Sequence, residues 1–200
     1  MIASTNAPAG GFDTADLNDV QLHVLGRVAA LFAGHGHRPY DGARRESVTA
    51  LEHSLQCAAL AERANAAPAL VVAALLHDIG HFHAAEDDAT DDAHELRALP
   101  LIADAFGPAV LEPIRLHVAA KRYLVAQHAD YAALLSPASM HSLTLQGGPM
   151  TPAEAAAFDA LPFSNDAVRL RCWDDAAKTP GKETPGLAHY LGVMVGVMRG

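Results

Sequence analysis

The chain has 200 residues, half of them hydrophobic and 18% charged, and its 14 lysines and arginines against 23 aspartates and glutamates leave a net charge of −9. That is the composition of one globular domain with a substantial core, not of a disordered chain. No long basic run is present, which argues against nucleic acid as a partner. The longest apolar run, PALVVAALL, is too short to span a bilayer. The first residues, MIASTNAPAGG, lack a positive segment followed by an apolar one, so no signal peptide is expected and a cytoplasmic location follows. Residues 1–15 are expected to be poorly ordered.

Leu17, Val20, Val24, Val28 and Leu31 recur every three or four positions and predict a helix closed by Gly34. Val48, Leu51, Leu55, Ala58 and Ala59 predict a second. A third runs from Pro68 to Ile79, with proline at its start and Gly80 at its end. It is apolar nearly all round and should be buried on every side. The acidic stretch DDATDD (87–92) reads as a solvated loop. Helices follow over 92–105 and 108–125, the latter again opened by a proline, Pro108. The stretch SPASMHSLTLQGGPM (136–150) has no clean period and reads as a loop with at most one helical turn. TPAE (151–154) is a capping box. Residues 164–178 read as a helix behind a Ser164 or Asn165 cap, 179–186 as a flexible connection, and 187–198 as a last helix. No strand alternation and no internal repeat are seen. The expected fold is all-α, one domain over residues 1–200, of seven or eight helices.

Twelve histidines stand in the chain, and position decides which of them matter. His53, His77, His94 and His117 fall on four separate predicted helices. Asp78 is adjacent to His77, and Asp174 lies on a late helix. Burying unpaired carboxylates and imidazoles costs several kcal/mol each, as a rough guide. A di- or trivalent cation removes that cost and is well served by neutral imidazole and carboxylate. His35, His37, His83, His128, His141 and His189 carry no assigned role, and the HGH at 35–37 is read as surface. Trp173 reads as packing. Cys57 and Cys172 have no CxxC neighbour and read as two reduced, mostly buried thiols.

The order H…HD…D, with the HDIGH of 77–81, resembles the HD-domain superfamily over nearly the whole chain. That resemblance implies an all-helical, metal-dependent fold. His53, His77, Asp78 and Asp174 would hold one metal, and His94 and His117 would be the extra ligands of a dinuclear branch, with Asp78 bridging. ALEHSLQCAALAE, AALLHDIGH, HVAAKRYL, SLTLQGGPM and RCWDDAAK, in that order over residues 16–178, resemble the HD-domain oxygenases of organophosphonate catabolism, relatives of myo-inositol oxygenase. The resemblance implies a mixed-valent Fe(II)/Fe(III) pair, with O2 as co-substrate. It also implies cleavage of the C–P bond of a 1-hydroxyalkylphosphonate to a carboxylic acid and inorganic phosphate. A hydroxylated aminoethylphosphonate giving glycine leads the candidates, followed by its trimethylammonium analogue and hydroxymethylphosphonate.

The same resemblance places His81, Lys121, Ser139, Ser142 and Arg171 around the phosphonate. Spacing supports part of this: Lys121 lies four residues after His117, and Arg171 three before Asp174, so each shares a helix face with a proposed ligand. Arginine, lysine and hydroxyls suit three phosphonate oxygens. Glu46, seven residues before His53, would share its side if that helix extends so far back. The resemblance gives Glu46 the substrate's tail and makes Tyr40 the tyrosine that shields the metal until substrate arrives. Tyr40 and Glu46 are further apart than the family pattern has them, and Arg44 and Arg45 fall between them. Either the loop bulges or Tyr40 is not the equivalent residue. Lys121, His81, Glu46 and Tyr40 are thus the expected catalytic set. Two rival readings use the same ligands: a metal-dependent phosphohydrolase acting on a phosphate ester or nucleotide, and a non-enzymatic metal-stabilised helical module. A monomer or homodimer is expected, with a small phosphonate as its partner.

Overall fold

The computed structural model describes residues 14–40, 48–83 and 93–199. Nine α-helices stand among these residues: α1 (Asp19–His35), α2 (Ala50–Arg63), α3 (Pro68–Leu76), α4 (His94–Ile102), α5 (Pro108–Gln127), α6 (Pro137–Leu145), α7 (Pro152–Asp159), α8 (Ser164–Ala176) and α9 (Leu187–Val197). Single 3-10 turns at Ile79–His83 and Tyr131–Leu134 complete the set. The only β feature among the described residues is an isolated bridge between Pro39 and Thr49. The fold is all-α, as expected, with more helices than the seven or eight predicted.

Helix α3 is the central strut. Leu70 to Leu76 are all buried, and α2, α5, α8 and α9 pack around it. Its neighbours contribute Val24, Val28, Phe32, Cys57, Ile102, Phe106, Ile114, Leu170, Tyr190 and Met194 to one continuous apolar core. A smaller cluster of Leu116, Ala120, Phe158 and Ala167 joins α5, α7 and α8. Helix α3 ends at Leu76, three residues before the expected Ile79. His77 caps it, and the chain tightens into the 3-10 turn. Gly80 is needed there for room: a Cβ at this position would stand 1.9 Å from the carbonyl oxygen of His94. The HDIGH turn can therefore press against the first turn of α4 only because position 80 has no side chain.

Several boundaries differ from the sequence-based expectations. Helix α1 continues through Gly34 to His35 and is capped by Gly36. Helix α2 does not extend back toward residue 46: Thr49 caps it in a reciprocal box with Glu52. The phase argument linking Glu46 to His53 therefore fails, and Glu46, Arg44 and Arg45 lie outside the described residues. Helix α8 begins after Phe163, held at φ 64°, and no Ser164 or Asn165 side chain caps it. The largest departure is α6, a nine-residue helix inside the stretch expected to be a loop. Ser136 accepts a hydrogen bond from the Ser139 amide, and Pro137 occupies the first helical position. The TPAE box forms as expected. No helix among the described residues is long and apolar enough to cross a membrane.

Candidate metal centre

Five elements bring polar side chains into the core at one place. His53 comes from α2, His77 and Asp78 from the end of α3, His94 from the start of α4, His117 from α5 and Asp174 from α8. All six are buried, from His53 and His77 at 0% exposure to His94 at 8%. The two oxygens of Asp78 face different groups. Its Oδ2 lies 3.6 Å from His53 Nε2 and 3.2 Å from His77 Nε2. Asp174 Oδ1 closes that group, at 3.4 Å from His53 and 4.0 Å from His77. The Oδ1 of Asp78 lies 3.5 Å from His94 Nε2 and 3.7 Å from His117 Nε2, and those two nitrogens are 3.0 Å apart.

Three of the four imidazoles are oriented by the backbone. His53 Nδ1 is 3.1 Å from the carbonyl of Ala177, His77 Nδ1 3.0 Å from that of Ala74, and His117 Nδ1 2.7 Å from that of Ile114. A carbonyl only accepts, so each Nδ1 carries a proton, and Nε2 is the nitrogen that each ring turns inward and can offer to a metal. This is the outer-shell arrangement of metal-ligating histidines. Without a cation, the inward nitrogens would face each other and the Asp78 oxygens across 3.0–3.7 Å. Donors bound about 2.1 Å from a common ion stand roughly 3.0–3.4 Å apart, so the donor set fits metal ions in both chemistry and spacing.

The ionisation directions agree with a site that attracts positive charge. Burial alone would raise Asp78, but His77, His81 and His94 outweigh it and hold its carboxyl well below the usual range. Burial would likewise raise Asp174, and the Arg171 guanidinium holds it well below. Burial opposes charge on His77, yet Asp78 carries its value upward. For His117 burial dominates, aided by His94 and His77, and keeps the imidazole neutral. Burial, with Asp174 and Asp78 adding, pushes the Cys57 thiol well up.

A second set of side chains lies beside this cluster. Lys121 is one turn beyond His117, buried, and donates to Ser142 Oγ at 2.7 Å. Arg171 pairs through Nη1 with Asp174 Oδ2 at 2.7 Å, binds Asp175 through Nε at 3.1 Å and through Nη2, and reaches Ser139 Oγ at 3.2 Å. Lys178 Nζ lies 3.2 Å from Ser136 Oγ and 3.4 Å from Ser139 Oγ. The first turn of α6 thus faces two cations, and its N-terminal dipole adds to their field.

The residues matching the family described as HD domain run from 50 to 147. The chain is 50% identical over 173 residues to a hydroxymethylphosphonate dioxygenase of Gimesia maris, covering 82% of this chain and 84% of that protein. It is 39% identical over 183 residues to the glycine-betaine-forming 1-hydroxy-2-(trimethylamino)ethylphosphonate dioxygenase of Leisingera caerulea, covering 89% and 91%. A protein of Acanthamoeba polyphaga mimivirus, uncharacterized protein L432, is 35% identical over 181 residues, covering 87% and 81%. The chain belongs to the HD-domain oxygenases of phosphonate degradation.

All the residues expected at the site of this HD-domain oxygenase, Glu46 excepted, fall in one region. Tyr40 donates to Asp78 Oδ2 at 2.7 Å, and its ring stacks on His53 at 3.8 Å between centroids. His81 stacks on His94 at 3.9 Å, with Nε2 3.9 Å from Asp78 Oδ1 and its side chain 37% exposed. Arg171 is spoken for more fully than expected, since Asp174 and Asp175 clamp it and Tyr131 donates to the same Asp175. Sequence reasoning missed Asp175, Tyr131, Lys178, Ser136 and Cys57 as neighbours of the site. Only Asp175 and Lys178 had a local signal, standing one and four residues after Asp174 in WDDAAK. Cys172 is exposed, against the expectation of a buried thiol, whereas Cys57 is buried. His35 is half-buried, stacked on Phe82 at 5.6 Å, and only His37 of the HGH is a surface residue. Trp173 packs against the core with Arg169 over its ring.

Proposed function

We propose that this protein is a di-iron dioxygenase that cleaves the C–P bond of a 1-hydroxyalkylphosphonate, giving a carboxylic acid and inorganic phosphate. The observation that carries this reading is the juxtaposition of a buried, Asp78-centred set of six metal donors with a wall of cationic and hydroxyl donors. Arg171 belongs to both, touching Asp174 in the first and Ser139 in the second. A passive metal site needs no such wall; a phosphatase would use both parts, since a phosphate ester offers the same oxygens, and what favours the oxygenase over it is the likeness to two relatives named phosphonate dioxygenases.

His53, His77, Asp78 and Asp174 would hold one iron; Asp78, His94 and His117 would hold the other. Bound there as Fe(II)/Fe(III), the pair supplies the activation of O2, which the side chains cannot provide themselves. The protein's own part is placement and charge. Lys121, Ser142, Ser139 and Arg171 give the phosphonate charge-assisted hydrogen bonds, with Lys178 adding its field. Tyr40 keeps its hydroxyl on Asp78 and covers His53, so it closes the approach until a substrate takes that place. His81, at the open edge, is positioned to accept a proton from the substrate's hydroxyl or phosphonate group. One O2 balances the reaction: hydroxymethylphosphonic acid plus O2 equals formic acid plus phosphoric acid.

The tail we favour is hydrogen, because the relative at 50% identity carries the hydroxymethylphosphonate name and the one at 39% the trimethylammonium name. The test is oxygen uptake and phosphate release by iron-loaded protein with hydroxymethylphosphonate, 2-amino-1-hydroxyethylphosphonate and the trimethylammonium analogue. Equal amounts of O2 consumed and phosphate released, fastest with the first, are expected. Phosphate release under strict anaerobiosis overturns the oxygenase reading in favour of a hydrolase.

A further inference from the structure

Cys57 stands one turn after His53 on α2, fully buried, and the proposed reaction gives it nothing to do. Its Sγ lies 3.5 Å from His53 Nε2, and that nitrogen lies 3.4 Å from His77 Nε2. Donor atoms of the three residues all fall within 4.8 Å of one another. The same two nitrogens, taken with Asp78 and Asp174, make the donor set assigned above to one iron. His53 and His77 are therefore shared by two alternative sets. One has two nitrogens and two carboxylate oxygens. The other has two nitrogens and a sulfur.

The two sets suit different ions. Hard and borderline cations take carboxylate and imidazole, whereas thiophilic d10 ions prefer thiolate. At zinc bond lengths of roughly 2.0–2.1 Å to nitrogen and 2.3 Å to sulfur, a tetrahedral centre spaces two nitrogens about 3.4 Å apart and nitrogen from sulfur about 3.5 Å. The distances around His53 match both edges without movement. An ion drawn to the sulfur must leave the best position between the two carboxylates.

We propose that His53, Cys57 and His77 form a competing site for a thiophilic d10 cation such as Zn2+ or Cd2+, which displaces iron from this half of the centre. The ion binds Cys57 as thiolate, the thiol proton passes to solvent, and a carboxylate or water completes the shell. Soft metals are then inhibitors of iron loading rather than inert substitutes. The inference rests on the reading that His53 and His77 hold metal.

The test uses the full chain, stripped of metal and titrated with cadmium chloride while thiolate-to-cadmium charge-transfer absorption is followed in the ultraviolet. The variants are Cys57→Ser, Cys57→Ala and, as control for the exposed thiol, Cys172→Ser. A band that saturates with a single cadmium, survives in Cys172→Ser and vanishes in both Cys57 variants is the expected result. Iron uptake by the cadmium-loaded wild type should fall by about half and recover in the Cys57 variants. A band that persists without Cys57, or that is lost with Cys172, overturns the proposal. So does the absence of any band in wild-type protein that binds iron normally. A wild type that takes up neither iron nor cadmium brings down the metal reading of the cluster as well.

Discussion

The two walls of the site are held in different ways. On the metal wall, His53, His77 and His117 each hang from a backbone carbonyl. On the facing wall, side chains hold side chains: Lys121 to Ser142, Arg171 and Lys178 to Ser139. A buried ring can turn away from a backbone anchor only by leaving that carbonyl unpaired in the core, which is costly. A lysine on a serine hydroxyl can trade that partner for a phosphonate oxygen at little cost. On the function proposed above, the first wall would keep its ions and the second would exchange its partners for the phosphonate.

Asp78 is where this difference can be broken most severely, because among the described residues it is the one carboxylate with an oxygen toward each pair of histidines. Asp78→Ala should lose both ions, and with them activity by at least about 100-fold. His117→Ala should lose only the ion on its side. Metal analysis of the two purified variants checks this. Equal losses in both would show that the two halves are not separable.

Gly80→Ala attacks the backbone on which the metal wall depends. The added Cβ meets the carbonyl of His94 at 1.9 Å, and backbone cannot give way as a flexible side chain would. We expect about 3 kcal/mol of destabilisation, read by denaturant unfolding, with weakened iron retention. The contrasting change is Lys121→Ala on the exchangeable wall. Iron should stay bound while KM for the phosphonate rises about 10- to 100-fold, the worth of one hydrogen bond to a charged group. Loss of iron in that variant would make Lys121 part of the metal wall instead.

The same division explains what could be read from the sequence. The proposed ligands fall in or at the end of apolar, periodic stretches, where an imidazole or carboxylate stands out as a cost needing a reason. His53, His77, Asp78, His94, His117 and Asp174 were legible for that reason, and the spacing of Lys121 and Arg171 from them was informative. The exchangeable wall has no such background. Helix α6 is short and rich in hydroxyls, and its period is blurred because Ser142 and Thr144 turn back to the carbonyls of Ser139 and Met140. Its stop, Gly147 and Gly148 at φ 94° and 71°, was visible as Gly-Gly, but its start depends on the Ser136 cap. Tyr131 reaches the site only through the tertiary fold, and no local pattern marks it.

The smallest effect we expect lies on neither wall, at the capping box that starts α7. Glu154 is exposed, and hydrogen bonds from the Thr151 amide and hydroxyl, then from Arg122, lower its value from 4.5 to about 2. A carboxyl depressed on folding contributes stability above its unfolded value, and that contribution is lost as pH falls through the folded one. The Tm difference between wild type and Glu154→Gln should therefore be constant above about pH 5 and close progressively as pH falls toward 2. Iron content and turnover at neutral pH should be the same in both. A Tm difference that does not change with pH would mean that the box works through hydrogen bonding alone, without the carboxylate's charge. A fall in iron content would mean that α7, packed on α5 and α8, bears on the metal wall through them.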